Sequence, residues 1–70
     1  MRLALAELDN GLVLEKGHYW TFHCELADKF PDLESVSRMA ADYQIRNAAA
    51  AVLSHNPLRA SGFLWITKPN

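Results

Sequence analysis

The chain has 70 residues, of which half are apolar, seven are Lys or Arg, eight are Asp or Glu, and one is cysteine. A chain of this length forms a single domain, residues 1–70, and leaves no room for a doubly wound α/β enzyme, a barrel or a repeat array. The lone Cys24 excludes an internal disulfide, so side-chain packing must hold the fold together.

The charged residues are unevenly distributed along the chain. Residues 1–34 contain three basic and seven acidic side chains, whereas residues 35–70 contain four basic and one acidic, although the net charge is only −1. Such asymmetry is typical of proteins with one half that faces nucleic acid, and also of proteins that bind other proteins.

The apolar runs are all short. Residues 3–6 are too few for the apolar core of a signal peptide, and the longest run, Ala48–Leu53, is far shorter than a membrane span. The sequence therefore predicts a cytoplasmic protein that does not bind a membrane.

The first predicted element is an antiparallel hairpin over residues 2–16. Asn10-Gly11 lies between two apolar segments, and both residues tolerate the positive φ that tight hairpin turns require. The alternative is a short helix over residues 2–8 that ends near Gly11, because Leu, Ala and Glu are good helix formers.

Residues 18–30 allow two interpretations. Trp20, Phe22, Cys24 and Leu26 alternate with polar or amphipathic residues, which indicates a strand, and Gly17-His18 would form the turn before it. Helical spacing is also present over this segment. We favour a strand that gives way to a helical turn near Leu26, so that the N-terminal half forms a three-stranded meander.

A helical region is predicted from about Asp32 to Ser54. Pro31 disfavours helical geometry at the residue before it, and Asp32 or Ser35 can cap a new helix. Apolar residues then follow at helical spacing, but the apolar stripe changes phase after Gln44. Either one long helix is buried on both sides, or the chain turns near residues 43–45 and two short helices each direct one stripe inward.

The C-terminal part contains a predicted strand. Asn56-Pro57 ends the helical region, Ser61-Gly62 forms a turn, and residues 63–67 are rich in aromatic and β-branched side chains. The predicted fold is therefore α+β: a small antiparallel sheet, made from the N-terminal hairpin or meander and the C-terminal strand, packed on the helical region 32–54.

The stretch 36–55 resembles the helix-turn-helix of DNA-binding regulators. Small and apolar residues occupy the positions that this pattern buries, namely Met39, Ala40, Tyr43, Ile45, Ala50 and Leu53. Gln44 stands at the turn, where the pattern prefers glycine. The resemblance covers less than a third of the chain and implies a winged helix-turn-helix domain, in which Arg59, Ser61 and Lys68 near the terminal strand would contact the DNA backbone.

If the second helix forms, five residues lie on its outward face: Arg46, Asn47, Ala50, Ala51 and Ser54. Arginine can bind guanine or phosphate, asparagine can read adenine, and alanine methyls can contact the thymine methyl. The same alanines would equally let another protein approach closely. Two functions are therefore carried forward: a small DNA-binding regulator, expected to act as a dimer, and a phage-type inhibitor or adaptor that binds a protein through the alanine-bearing face or the acidic N-terminal half.

Catalytic and metal-binding patterns are weak. His23 and Cys24 are adjacent on a predicted strand, so their side chains would point to opposite faces. The set formed by these two residues with His18 and His55 matches no zinc-ligand spacing. We expect no enzyme activity, cofactor or metal, and we assign Cys24 to the core. Trp20, Phe22 and Trp65 are core candidates too, with one tryptophan exposed at an interface as the alternative.

Overall fold

The computed structural model describes residues 2–54 and 60–66. Its elements, in chain order, are β1 (Leu3–Glu7), β2 (Leu12–Glu15), β3 (Tyr19–Thr21), a 3₁₀ helix (Cys24–Leu26), α1 (Leu33–Tyr43), β4 (Ala48–Leu53) and β5 (Ala60–Trp65). The strands form one antiparallel sheet in the order β3-β2-β1-β4-β5. Helix α1 packs on one face of the sheet, against β1 and β4.

The predicted N-terminal hairpin is confirmed. Strand β1 pairs with β2, with Glu7 opposite Leu12, so the connection has four residues rather than the tight two-residue turn that Asn-Gly often forms. Gly11 alone in this connection takes a positive φ, of 73°. The Glu7 carboxylate accepts hydrogen bonds from the backbone and side-chain amides of Asn10, which closes the loop.

The meander and the change of structure near Leu26 are also confirmed. Strand β3 follows β2 through Lys16 and Gly17, both at positive φ, and the His18 N–H donates to the Glu15 carbonyl at 3.2 Å. After β3 the chain makes the 3₁₀ helix. It then returns to β1, where Phe30 and Leu3 exchange two backbone hydrogen bonds.

Helix α1 begins where the sequence predicts. Asp32 caps it by accepting the Ser35 N–H at 2.8 Å, and Val36 and Ala40 are its buried residues. It ends at Gln44, which takes the left-handed conformation at φ 54°. The Gln44 and Ile45 N–H groups donate back to the carbonyls of residues 41 and 40, which is the pattern of a Schellman motif.

The prediction of a helical region to Ser54 is wrong. The turn near residues 43–45, which belonged to the second of its two forms, is present, but a strand follows it. Residues 48–53 form β4, at the inner part of the sheet between β1 and β5, and the described residues after Gln44 contain no second helix. Of the described residues, 42% lie in strands and 23% in helices, so the chain is mostly β rather than α+β. The predicted packing of the sheet on a helix-turn-helix is replaced by a five-stranded sheet with one helix.

The physical reason lies in how β4 is buried. Ala48, Ala49, Ala50 and Ala51 are all fully buried because both faces of β4 are covered. A strand buried on both faces is a continuous apolar run, and any such run contains residues at helical spacing by chance. Pairing with five residues of β1 outweighs the high helix propensity of alanine.

The core is divided between the two faces of the sheet. The face that carries α1, here called the helix face, buries Leu3, Leu5, Leu14, Val36, Ala40, Ala48 and Ala50. The opposite face, here called the open face, buries Ala4, Ala6, Val13, Ala27, Ala51 and Leu53. The largest fully buried side chains all belong to the helix face, whereas the open face is lined mainly by alanine.

The C-terminal strand is confirmed, but its bounds differ from the prediction. Strand β5 starts at Ala60, so Ser61 and Gly62 lie inside it and do not form the predicted turn. The pairing register shifts between Val52 and Leu53, and the Ser61 hydroxyl donates to the Val52 carbonyl at 3.2 Å. This irregularity accommodates the residues that were expected to turn.

Candidate functional site

Strand β5 lies at the outer edge of the sheet. Within the described residues it pairs only with β4, with Phe63 opposite Ala51, Leu64 opposite Ala50 and Trp65 opposite Ala49. An edge strand has one row of backbone donors and acceptors that its own sheet does not use. This row is the first component of the candidate site.

The register defines which residues supply that row. Ile66 donates its N–H inward to the Ala48 carbonyl at 3.1 Å. In an antiparallel pair the inward and outward residues alternate, so Leu64 also directs its backbone groups toward β4. Phe63 and Trp65 therefore direct their N–H and C=O groups away from the sheet.

The side chains at this edge are large, apolar and exposed. Phe63 is 50% exposed, Leu64 44% and Trp65 51%. Their cross-strand neighbours on β4 are alanines, whose methyl groups are too short to cover them. Phe63 and Trp65 lie on the open face, whereas Leu64 lies on the helix face, because neighbouring strand residues point to opposite faces.

The apolar surface continues from β5 across the open face. A shallow pocket of about 70 Å³ lies between Phe63 and Phe22, and alanine, leucine and valine side chains of β1 and β2 form part of its lining. Phe22 is 74% exposed. Cys24 is half-buried at the same pocket and packs against the open-face core.

Natural edge strands are usually protected by charges, prolines or bulges. Strand β5 contains neither a charged residue nor a proline. The register shift opposite Ala60 and Gly62 affects only the first half of the strand. The second half, which carries the three exposed side chains, is regular and contains none of these features within residues 63–65.

These aromatic residues correct the sequence interpretation. Trp20 packs against the helix-face core, as predicted, and its ring lies 5.9 Å from that of Tyr43 in an edge-on arrangement. Phe22 and Trp65 are exposed, so their assignment to the core is wrong. The alternative of one tryptophan exposed at an interface is confirmed for its exposure alone, and the interface stays a prediction. The signal in the sequence was the uncharged run at residues 63–65 paired with a strand of alanines.

A second concave region lies at the other side of the sheet. A cleft of about 290 Å³ is lined by Glu7, Asp9, Asn10, Leu12, Trp20, Tyr43, Ile45 and Arg46. Its carboxylates bind the chain's own amides: Asp9 accepts from the Asn47 side chain at 3.0 Å, and Glu7 accepts from Asn10. These contacts hold the loop between β1 and β2 against the segment after α1.

The structure does not bring the predicted DNA-binding residues onto one surface. Arg46 is exposed and lines the cleft beside Glu7 and Asp9. Asn47 is half-buried, and its side-chain oxygen has no hydrogen-bond partner in the described part of the chain. Ala50 and Ala51 are fully buried on opposite faces of β4.

Of the remaining predicted site residues, the structure describes Ser54 and Ser61. Ser54 is half-buried after the end of β4, and Ser61 bonds to its neighbouring strand. Arg59 and Lys68 lie outside the described residues. The outward helix face predicted from Arg46 to Ser54 is wrong because the segment from Ala48 is a strand.

His18, His23 and Cys24 form no catalytic arrangement with one another in the part of the chain that the structure describes, and His55 lies outside it. His23 forms an exposed contact with Glu25, 3.2 Å from its Nδ1 atom to the carboxylate, and His18 contacts the ring of Tyr19. No group of three or more His, Cys, Asp or Glu side chains that could hold a metal occurs within residues 2–54 and 60–66. Likewise, no helix there has the length and apolar character needed to cross a membrane.

Comparison with known proteins adds no relative. No family model matches the chain, and no curated protein or solved structure shows significant similarity to it.

Proposed function

We propose that this chain is a small, non-catalytic protein-interaction module that binds an extended segment of a partner along the edge of β5. The observation that supports this proposal is the row of three half-exposed side chains, Phe63, Leu64 and Trp65, on an edge without charge or proline. Exposed apolar surface of this kind is typical of binding sites.

Strand addition uses both components of the site. The outward N–H and C=O groups of Phe63 and Trp65 supply backbone hydrogen bonds, which provide affinity with little dependence on partner sequence. The side chains on the two faces would contact alternate residues of the added strand and so provide selectivity. The pocket between Phe22 and Phe63 extends the contact on the open face.

This proposal keeps the protein-binding hypothesis but moves its surface. The alanines that suggested a partner-binding face are buried in β4, so they support the edge from within instead of contacting a partner. DNA binding stays a prediction. It has less geometric support because Arg46 lies beside two carboxylates, which repel phosphate.

A peptide-display experiment tests the proposed function. A library of extended peptides is selected on the immobilised protein, and affinities of the selected peptides are measured for the wild type, Trp65→Ser and Tyr19→Ser. Tyr19 is the matched control because it is 56% exposed but lies on β3, at the opposite edge. We expect Trp65→Ser to weaken binding at least about tenfold and Tyr19→Ser to change it less than about twofold.

Hydrogen exchange provides a readout specific to strand addition. A bound peptide should slow exchange at the Phe63 and Trp65 amides, which face outward, and should change that of Leu64 much less because it already faces β4. Peptides whose binding is indifferent to Trp65→Ser would contradict the proposal. Salt-sensitive binding of duplex DNA that is lost in Arg46→Ala would instead support the DNA-binding prediction.

A further inference from the structure

We infer that the partner strand is β5 of a second copy of this chain, so that two sheets join edge to edge about a twofold axis. This inference rests on the proposed function, since it requires that the β5 edge accept a strand. It adds the identity of the partner, the register of pairing and the size of the assembly.

The outward backbone groups are compatible with a register centred on Leu64. A twofold axis that passes perpendicular to the sheet at Leu64 places Phe63 of one copy opposite Trp65 of the other, and the reverse. Each of these two pairs consists of residues whose N–H and C=O groups point outward, so each can form the closely spaced pair of hydrogen bonds of an antiparallel ladder. The register therefore satisfies the edge groups of both residues in both copies.

The same register matches the side chains. A twofold axis perpendicular to the sheet keeps the open faces of the two copies on one side, so the aromatic rings of Phe63 and Trp65 meet across the junction twice. On the helix face, Leu64 meets its own counterpart in a pair without hydrogen bonds, where side chains approach most closely. Aromatic and aliphatic cross-strand pairs of this kind are the units that stabilise sheets.

The absence of charge within β5 removes one obstacle to pairing with a second copy. Self-pairing about a twofold axis places each residue opposite a residue of the same strand, so a charged strand commonly brings like charges together. Strand β5 contains no charged residue, so its own residues 60–65 bring no like charges opposite each other. It also presents no charge that would select an oppositely charged foreign segment or reject its own copy.

The geometry also limits the assembly to two copies. Pairing of β5 with β5 occupies the β5 edge of each copy and joins the two sheets into one continuous sheet, with five strands from each chain. The remaining edge, β3, has only three residues. A head-to-tail contact between β5 and β3 would repeat without closing, whereas the twofold contact is closed.

Sedimentation equilibrium tests the inference on the full chain. From about 1 to 500 μM, which covers dissociation constants between the micromolar and the millimolar range, we expect the mass to rise from 7.9 kDa toward twice that value. The Phe63 and Trp65 amides should become protected from exchange over the same concentration range. A wild-type chain that stays monomeric throughout would overturn the inference.

Charge exchange at the junction tests the register. Phe63→Lys/Trp65→Lys places lysine opposite lysine, and Phe63→Glu/Trp65→Glu places glutamate opposite glutamate. Each variant alone should raise the dimer dissociation constant at least about tenfold, and an equimolar mixture of the two should recover association. Dimerisation that persists in both separate variants, or a mixture that does not recover it, would show that the contact lies elsewhere.

Two further comparisons keep the outcome clear. If a charged variant does not show the wild-type circular dichroism spectrum, Phe63→Ser is used in its place to measure dimerisation. Tyr19→Ser is then the control, because Tyr19 has similar exposure and lies on the opposite edge. If the wild type is monomeric but still binds selected peptides through Trp65, the inference fails and the proposed function stands. If it is monomeric and no peptide depends on Trp65, both fail.

Discussion

The Asp28 carboxylate is expected to hold the second hairpin of the sheet. Its two oxygens accept the Lys16 and Gly17 N–H groups, each at 2.8 Å, from a position eleven or twelve residues further along the chain. Both donors lie at positive φ, which lysine adopts only with strain. Asp28→Ala removes both acceptors and leaves the turn without this support.

The magnitude follows from the number and exposure of these bonds. A hydrogen bond to a charged group contributes about 1.5–3 kcal/mol. One donor here is exposed and the other is half-buried, so water replaces part of the loss. We therefore expect Asp28→Ala to lower the free energy of unfolding by about 2 kcal/mol, which for a domain of this size shifts Tm by about 8–16 °C.

Urea unfolding followed by circular dichroism and tryptophan fluorescence measures this change. Asp28→Asn keeps one acceptor oxygen and should lose roughly half as much stability. Asp42→Ala is the control, because it removes the same charge from an exposed position on α1 and should change stability by less than about 0.5 kcal/mol. Equal effects of Asp28→Ala and Asp42→Ala would refute the argument that these two bonds stabilise the turn.

Three other predictions concern the core and the helix ends. Leu5→Ala should lower the free energy of unfolding in urea by about 3 kcal/mol, because Leu5 is fully buried beneath α1. Leu64→Ala, at a residue that is 44% exposed, should lower it by less than about 1 kcal/mol, and similar losses in the two variants would contradict the assigned core. Gln44→Gly should raise stability by up to about 1 kcal/mol, since glycine adopts the left-handed conformation without strain, and a lower Tm would count against that reasoning. The hydrogen bond from the Ser35 N–H holds the pKa of Asp32 below its ordinary value. The ionised Asp32 therefore stabilises the fold fully above the unfolded pKa of about 3.9, and this stabilisation is lost as the pH falls through the folded pKa. Asp32→Asn keeps a capping oxygen and should remove this part of the decrease in unfolding free energy at acid pH. If the unfolding free energy of Asp32→Asn varies with pH as that of the wild type does, this explanation is refuted.

Local signals predicted the two turns of the N-terminal meander and the start of the helix, but wrongly placed a turn at Ser61-Gly62. Glycine at positions 11 and 17 supplies positive φ, and Pro31 followed by Asp32 separates an extended segment from a helix. These features depend on backbone conformations that only a few residue types adopt, so they can be read without knowledge of the fold. The four-residue length of the first connection was not predicted, because it depends on how β1 and β2 pair.

The alanine segment was misread because its local and tertiary preferences disagree. Alanine is the strongest helix former, and residues 48–51 have no alternation that would reveal a strand. Burial on both faces removes that alternation. Gln44 in place of the usual glycine also left the turn near residues 43–45 as only one of two alternatives, since nothing in its chemistry indicates a left-handed residue.

The amino-acid sequence by itself determined the hairpins, the capped start of α1 and the strand character of the C-terminal segment, because each depends on the conformational preferences of a few neighbouring residues. Only the tertiary structure decided that β4 lies inside the sheet and that β5 lies at its edge. Strand order depends on contacts between residues far apart in the chain, such as Ala4 with Ala51 and Ala51 with Phe63. The candidate binding site is a consequence of that order: the same Phe63, Leu64 and Trp65 would be core residues if another strand covered them.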